Sequence, residues 1–190
     1  LTVSLRGNAR FSMRVRTLDH ASHSGMFGGA VPDAMLATVT LLATLWDADG
    51  SVGVEGLSSR EAETPEYSES TLRSETGLLD GVSPIGAGSI IGRIWNKPSV
   101  TVIGIDATDV ASASNTLAPE VTVVISARVA PGQSAADAYA ALKAHLRAHA
   151  PFGARLEFFD VDLGNPFLVD TTGWAVQDAR EALTEGYGVD

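Results

Sequence analysis

Cysteine is absent from the 190-residue chain, so neither a disulfide nor a thiolate metal site can form. That absence fits a reducing compartment, and the chain is expected in the cytoplasm. Basic residues are scarce: 13 Lys and Arg stand against 23 Asp and Glu, a net charge of −10. Such a surface repels phosphate backbones, which argues against a nucleic-acid partner. Long apolar runs are missing as well. The longest, residues 35–46, is broken by Thr38, Thr40 and Thr44, so no membrane-spanning segment is expected. No basic start leads into an apolar stretch and a cleavage site, so no signal peptide is read. The first residue is Leu1, and the last residues follow directly on a helical pattern. The sequence is therefore expected to be a piece of a longer polypeptide.

What is present suits one sizeable domain. The chain is 45% hydrophobic and 19% charged, and a globule of this length buries roughly 70% of its unfolded surface. Residues 1–5 read as a short strand, and Arg6-Gly7-Asn8 as a turn signal. Residues 9–18 alternate, with Phe11, Met13 and Val15 against Arg10, Ser12, Arg14 and Arg16, as a half-buried strand requires. A Gly-, Ser- and His-rich loop follows. Residues 32–46 read as a helix with Pro32 in its first turn, Asp33 at the positive end of its dipole, and Met35, Val39, Leu42 and Trp46 on one stripe that Leu41 and Leu45 widen. Residues 51–98 are irregular and read as an insertion that contains some local helix. Regular patterning resumes with strands at 99–105 and 121–129. A helix at 134–148, capped by Ser134 with Asp137 three residues on, comes next. A strand around Leu156, Phe158 and Val161 follows, then a last helix at 171–187.

Without the insertion and the two ends, the order is strand, helix, strand, strand, helix, strand. That order predicts an α+β, ferredoxin-like split βαβ sandwich, with a four-stranded antiparallel sheet and two helices on one face. Residues 1–165 are expected to form this domain, and 166–190 a linker and a C-terminal helix.

Four His residues occur. His145 and His149 share a helical face at i and i+4, but Leu146 stands where a zinc-peptidase helix carries its general base. They are read as a solvated helix end. His23 is different. It sits with His20 in a loop that also holds Gly25, Gly28 and Gly29, between a strand and a helix N-terminus. Loops held by rigid elements are where binding and catalysis concentrate, and glycines let the backbone turn tightly or approach a ligand.

The segment His23-Ser24-Gly25-Met26-Phe27-Gly28-Gly29 resembles the His-Ser-Gly-x-(Phe/Tyr)-Gly-Gly segment of the metal-dependent dipeptidases, the family of carnosinase and cytosolic nonspecific dipeptidase. Aminoacylase and succinyl-diaminopimelate desuccinylase are wider relatives. Three further stretches agree in order: Arg6-Gly7, Asn115-Thr116-Leu117-Ala118-Pro119, and Arg128-Val129-Ala130-Pro131. In that family a two-metal hydrolase domain is interrupted by a ferredoxin-like lid that dimerises. The resemblance therefore implies a lid without the hydrolase domain, whose His-x-Asp, Glu-Glu and C-terminal His motifs do not occur here. It implies no metal or cofactor in this chain, and two zinc-type ions in the missing hydrolase domain of the parent.

The resemblance also assigns residues. His23 matches the lid His that reaches into the partner subunit's active site and stabilises the oxyanion. Arg128 matches the Arg that holds the substrate's free carboxylate. Asn115, with Thr116, matches a substrate contact. His20 has no counterpart. The implied partners are a second copy of the chain and a dipeptide-like substrate; the fragment alone is expected to be inactive. Two other readings remain open: the lid of a related aminoacylase or deacylase, and a free-standing ferredoxin-like module that binds a small molecule.

Overall fold

The computed structural model describes residues 2–188. Leu1, where the first expected strand begins, and Val189 and Asp190 lie outside the described residues. In chain order the elements are β1 (Ser4–Leu5), β2 (Gly7–Arg16), β3 (Ser22–His23), α1 (Ser24–Phe27), α2 (Ala34–Ala43), α3 (Glu69–Thr76) and α4 (Ile90–Asn96). There follow β4 (Ser99–Asp106), β5 (Thr116–Leu117), β6 (Glu120–Val129), α5 (Ala135–Ala148), β7 (Arg155–Gly164), β8 (Phe167–Leu168) and α6 (Trp174–Tyr187).

The main sheet has four antiparallel strands in the order β4, β6, β2, β7. Because every neighbouring pair is antiparallel, β2 and β4 run parallel on either side of β6. In the same way β6 and β7 run parallel on either side of β2. Two strand-helix-strand units are thus interleaved in one sheet. One face carries the core: Ala9, Phe11, Met13 and Val15 of β2 and Val121, Val123, Ile125, Ala127 and Val129 of β6. Two helices pack there, α2 against β2 and β6, α5 against β2 and β7.

Local chemistry sets the helix ends. The Asp33 carboxylate accepts from Leu36 N at 2.9 Å, and the Ser134 hydroxyl accepts from Asp137 N at 3.0 Å. Each satisfies a backbone donor that the first turn leaves unpaired. Asp33 is therefore the cap of α2, and Pro32 lies before the helix instead of in its first turn.

Of the expected stripe, Met35, Leu42 and Trp46 pack partly buried against the core, and Val39 alone does not. Ala34, Ala37, Thr38 and Leu41 face the sheet, while Leu36 and Val39 are 49% and 56% exposed. Nearly every position of this helix is apolar, so its spacing alone cannot pick the inner face. The small residues lie inward because they let the helix approach the sheet. Thr38 is tolerated in the core because its hydroxyl donates to Ala34 O at 2.7 Å.

Arg6-Gly7-Asn8 is not a turn. Gly7 and Asn8 already pair with Val129 and Arg128 in the main sheet. A side chain at Gly7 would lie 2.7 Å from Gly164 O and 2.8 Å from Pro166, so the glycine marks a close approach of backbones. The strand near the start is only β1, paired with β8 outside the main sheet. The insertion holds α3 and α4. The last helix, α6, has no buried residue, and its Trp174 is 76% exposed.

Candidate functional site

The His23 loop is built by short-range hydrogen bonds. β3 pairs antiparallel with β5, placing His23 opposite Thr116 and Ser22 opposite Leu117. Ser24 N donates to Asn115 O at 2.9 Å, and Ala34 N to Ala118 O at 2.9 Å. The 115–118 segment thus clips the loop on one side and the start of α2 on the other.

The imidazole itself is oriented. His23 Nδ1 accepts from Gly25 N at 3.1 Å and caps α1. An accepting Nδ1 puts the proton of the neutral ring on Nε2. The exposed ring therefore offers Nε2–H as an outward donor.

Three glycines explain why the segment needs that spelling. A Cβ on Gly25 would sit 2.9 Å from His23 Cε1, so any side chain there displaces the ring. Gly29 has φ of 89°, in the left-handed region where glycine is unstrained. Gly28 N donates to Ser24 O at 2.8 Å, and a Cβ at Gly28 would collide with that same oxygen.

Asn115 and Thr116 are exposed and lie beside His23. Arg128 does not join them. It is exposed near the far end of β6, eight residues from Glu120, about 26 Å at the usual rise of a strand. Its cross-strand partners are Asn8 on β2 and Ser99 on β4. The four polar candidates therefore form one cluster of three and one distant arginine. The row of Asn8, Arg128 and Ser99 is absent from the sequence reading, because pairing between distant strands leaves no local signal.

His149 is the exposed C-cap of α5, as the expected solvated helix end requires, but His145 one turn earlier is partly buried. His145 Nε2 lies 3.0 Å from the Thr44 hydroxyl just past α2, and the two imidazoles stack with centroids 4.1 Å apart. Burial, and then the charge of His149, holds His145 below the ordinary imidazole value; the contact with Thr44 partly opposes this. Among the described residues, no three His, Asp or Glu side chains come together to hold a metal ion. No helix among them is long and apolar enough to cross a membrane.

Comparison with known proteins gives a consistent picture. The family model described as peptidase dimerisation domain matches residues 3–154. The whole chain is 34% identical to a cysteinylglycine-S-conjugate dipeptidase of Corynebacterium striatum, of which it covers 42%. It is 28% identical over its whole length to a beta-Ala-His dipeptidase of Rattus norvegicus, covering 41% of that protein. The chain thus spans about two-fifths of the length of these curated relatives. The crystal structure of human carnosine dipeptidase 1 superposes with a TM-score of 0.73 at 20% identity, over 100% of this chain and 43% of that one, which speaks for the fold.

Proposed function

The chain belongs to the peptidase dimerisation domain family, and from that premise we propose that it is the dimerising lid of a metal-dependent dipeptidase whose active site is completed across two subunits. The observation that carries this reading is the placement of His23 and Arg128 toward opposite ends of β6. A dipeptide is about 7 Å long. It cannot touch both side chains of one chain when most of β6 lies between them. It can touch Arg128 of one subunit and His23 of the other, if a two-fold axis brings the opposite ends of two lids together.

In this reading His23 donates Nε2–H to the oxyanion that forms when water attacks the scissile carbonyl. Asn115 and Thr116, held beside it, contact the same substrate. Arg128 forks two N–H donors onto the substrate's free carboxylate. Two zinc-type ions are proposed to lie in the remainder of the parent. The isolated chain is accordingly inactive as a peptidase.

Self-association has a surface to use. β4 pairs only with β6 and is an edge strand. It exposes Ile103 and Ile105, each 53% accessible, on the side of the sheet nearer α2 and its exposed Leu36 and Val39. An unpaired edge is a template for a second strand, and a symmetric partner covers it. Residues 166–190, with α6, are proposed to connect to and pack on the hydrolase domain, which would cover Trp174 and its neighbours.

Kinetics of the full-length parent test the assignment. His23→Ala is expected to lower kcat about 10²- to 10³-fold with little change in KM, as for loss of an oxyanion donor. Arg128→Ala is expected to raise KM for free dipeptides by about 1.5–3 kcal/mol, the worth of a charge-assisted pair. It should leave C-terminally amidated dipeptides unaffected. Equal losses on free and amidated substrates remove the carboxylate role. A normal kcat in His23→Ala removes the oxyanion role.

A further inference from the structure

Arg6 stands at the Arg128 end of the sheet and does something the sequence reading did not assign. It directly precedes Gly7, whose partner is Val129, and its Nη1 donates to the Ser99 hydroxyl at 3.4 Å. Ser99 is the cross-strand partner of Arg128. Directly opposed residues of neighbouring strands project from the same face, about 5 Å apart. The hydrogen bond to Ser99 therefore brings the Arg6 guanidinium beside that of Arg128.

Two adjacent cations are costly unless an anion lies between them. The chain has ample carboxylates, 23 against 13 cations. Elsewhere on the same sheet they are used: Arg14 pairs with Glu157 at 2.9 Å and Arg16 with Glu120 at 3.4 Å. Among the described residues, no carboxylate lies within 4 Å of Arg6 or Arg128. Arg6 is also half-buried, with its guanidinium held below the ordinary arginine value, first by burial and then by the charge of Arg128. A cation that is partly desolvated, set against a like charge and left without a carboxylate is an anion site waiting for its anion. Arg6 is reached through a cleft of about 510 Å³ that it lines with Val3, Leu5, Ile94 and Trp95, and Arg128 is exposed on the sheet.

The geometry points to Arg6 as the second arm of a two-arginine clamp, which with Arg128 grips the free carboxylate of a dipeptide. The inference rests on the carboxylate reading of Arg128 and adds a residue to it. Ser99 positions Arg6, and Asn8, on the other side of Arg128, completes the polar row. Two guanidiniums on one carboxylate also select the substrate's C-terminus against an internal peptide, which has no charge to offer either arm.

Side-chain NMR of the 190-residue chain tests this with glycylglycine as probe and glycylglycinamide as control, at constant ionic strength. The Nε–Hε signals of Arg6 and Arg128 are expected to shift together with one common Kd for glycylglycine and to ignore the amide. Arg6→Gln and Arg128→Gln are each expected to weaken that Kd about 10-fold, in the range of a charge-assisted hydrogen bond. Arg6→Lys should restore only part of it, since an ammonium lacks the planar fork. It also serves as the better-folding variant, with the backbone amide spectrum as control. If Arg128 responds with an unchanged Kd in both Arg6 variants, the clamp is wrong and the Arg128 reading stands. If neither signal responds in the wild-type chain, both fall. If the amide shifts the signals as strongly as glycylglycine, the site does not read a carboxylate and both fall again.

Discussion

The two ends of β6 hold their polar groups by different means. At the Glu120 end, His23 sits on a loop, and its orientation comes from one backbone N–H, one missing Cβ at Gly25, and the clip to Asn115. At the other end Arg128 sits in a strand between Asn8 and Ser99, with Arg6 beside them. A loop can be spelled out locally and can reach outward, which suits a group proposed to act in a neighbouring subunit. A strand position is fixed by register with two other strands, which suits a group that must hold a substrate still. The first arrangement is sensitive to small local changes; the second is sensitive only to changes in the side chains themselves or in the sheet.

That difference can be broken by one methyl group. Gly25→Ala puts a Cβ 2.9 Å from His23 Cε1 in an exposed segment, so the fold should survive while the ring moves. In the full-length parent, kcat is expected to fall about 10- to 100-fold, as misplacement of a catalytic group by about 1 Å does. The KM for free dipeptides should stay put, because the Arg128 end is untouched. A KM that rises with no loss of kcat would show that Gly25 does not position His23.

The helix layer that spans the two ends should answer to pH. His145 has its folded value lowered below 6.5. Between its folded and unfolded values the unfolded chain binds more protons, so stability rises with pH there. Its contribution is therefore full above about pH 6.5 and is lost as pH falls through the folded value. The melting temperature of the chain is expected to fall from pH 7.5 to 5.5, and His145→Gln should flatten that slope. An unchanged slope in His145→Gln would place the pH dependence elsewhere.

The smallest effect should come from α6. With no buried residue in that helix, ending the chain after Asp170 is expected to shift its melting temperature by less than about 2 °C. It should leave the Arg6 and Arg128 signals where they were. A fall of about 10 °C would mean that α6 belongs to the domain's own core and that the proposed boundary near residue 165 is misplaced.

The parts legible in the sequence are those set by near neighbours. Alternation in β2 separates Phe11, Met13 and Val15 from the arginines, and the structure buries the first set. Ser134 stands where a helix cap must, and the Gly- and His-rich segment around His23 lies between a strand and a helix, as its composition implies. Three features needed information from distant residues. Gly7 looks like a turn until Gly164 and Pro166 close in on it from β7 and the stretch beyond. The inner face of α2 cannot be told from spacing when Leu36 and Val39 are as apolar as Leu41. The junction of Arg6, Ser99 and Arg128 joins residues 93 apart in the chain, and only strand register reveals it.

The claim that the site is shared between subunits has one direct measurement. Full-length His23→Ala and Arg128→Ala proteins, each nearly inactive on a free dipeptide, are mixed and allowed to exchange subunits. In a mixed dimer one site takes the intact Arg128 of the first subunit and the intact His23 of the second, while the other site carries both defects. Random exchange makes half of the dimers mixed, so activity is expected to recover to about a quarter of the unmutated level. Activity that stays at the level of the separate variants after complete exchange would mean that His23 and Arg128 do not serve one substrate from two chains.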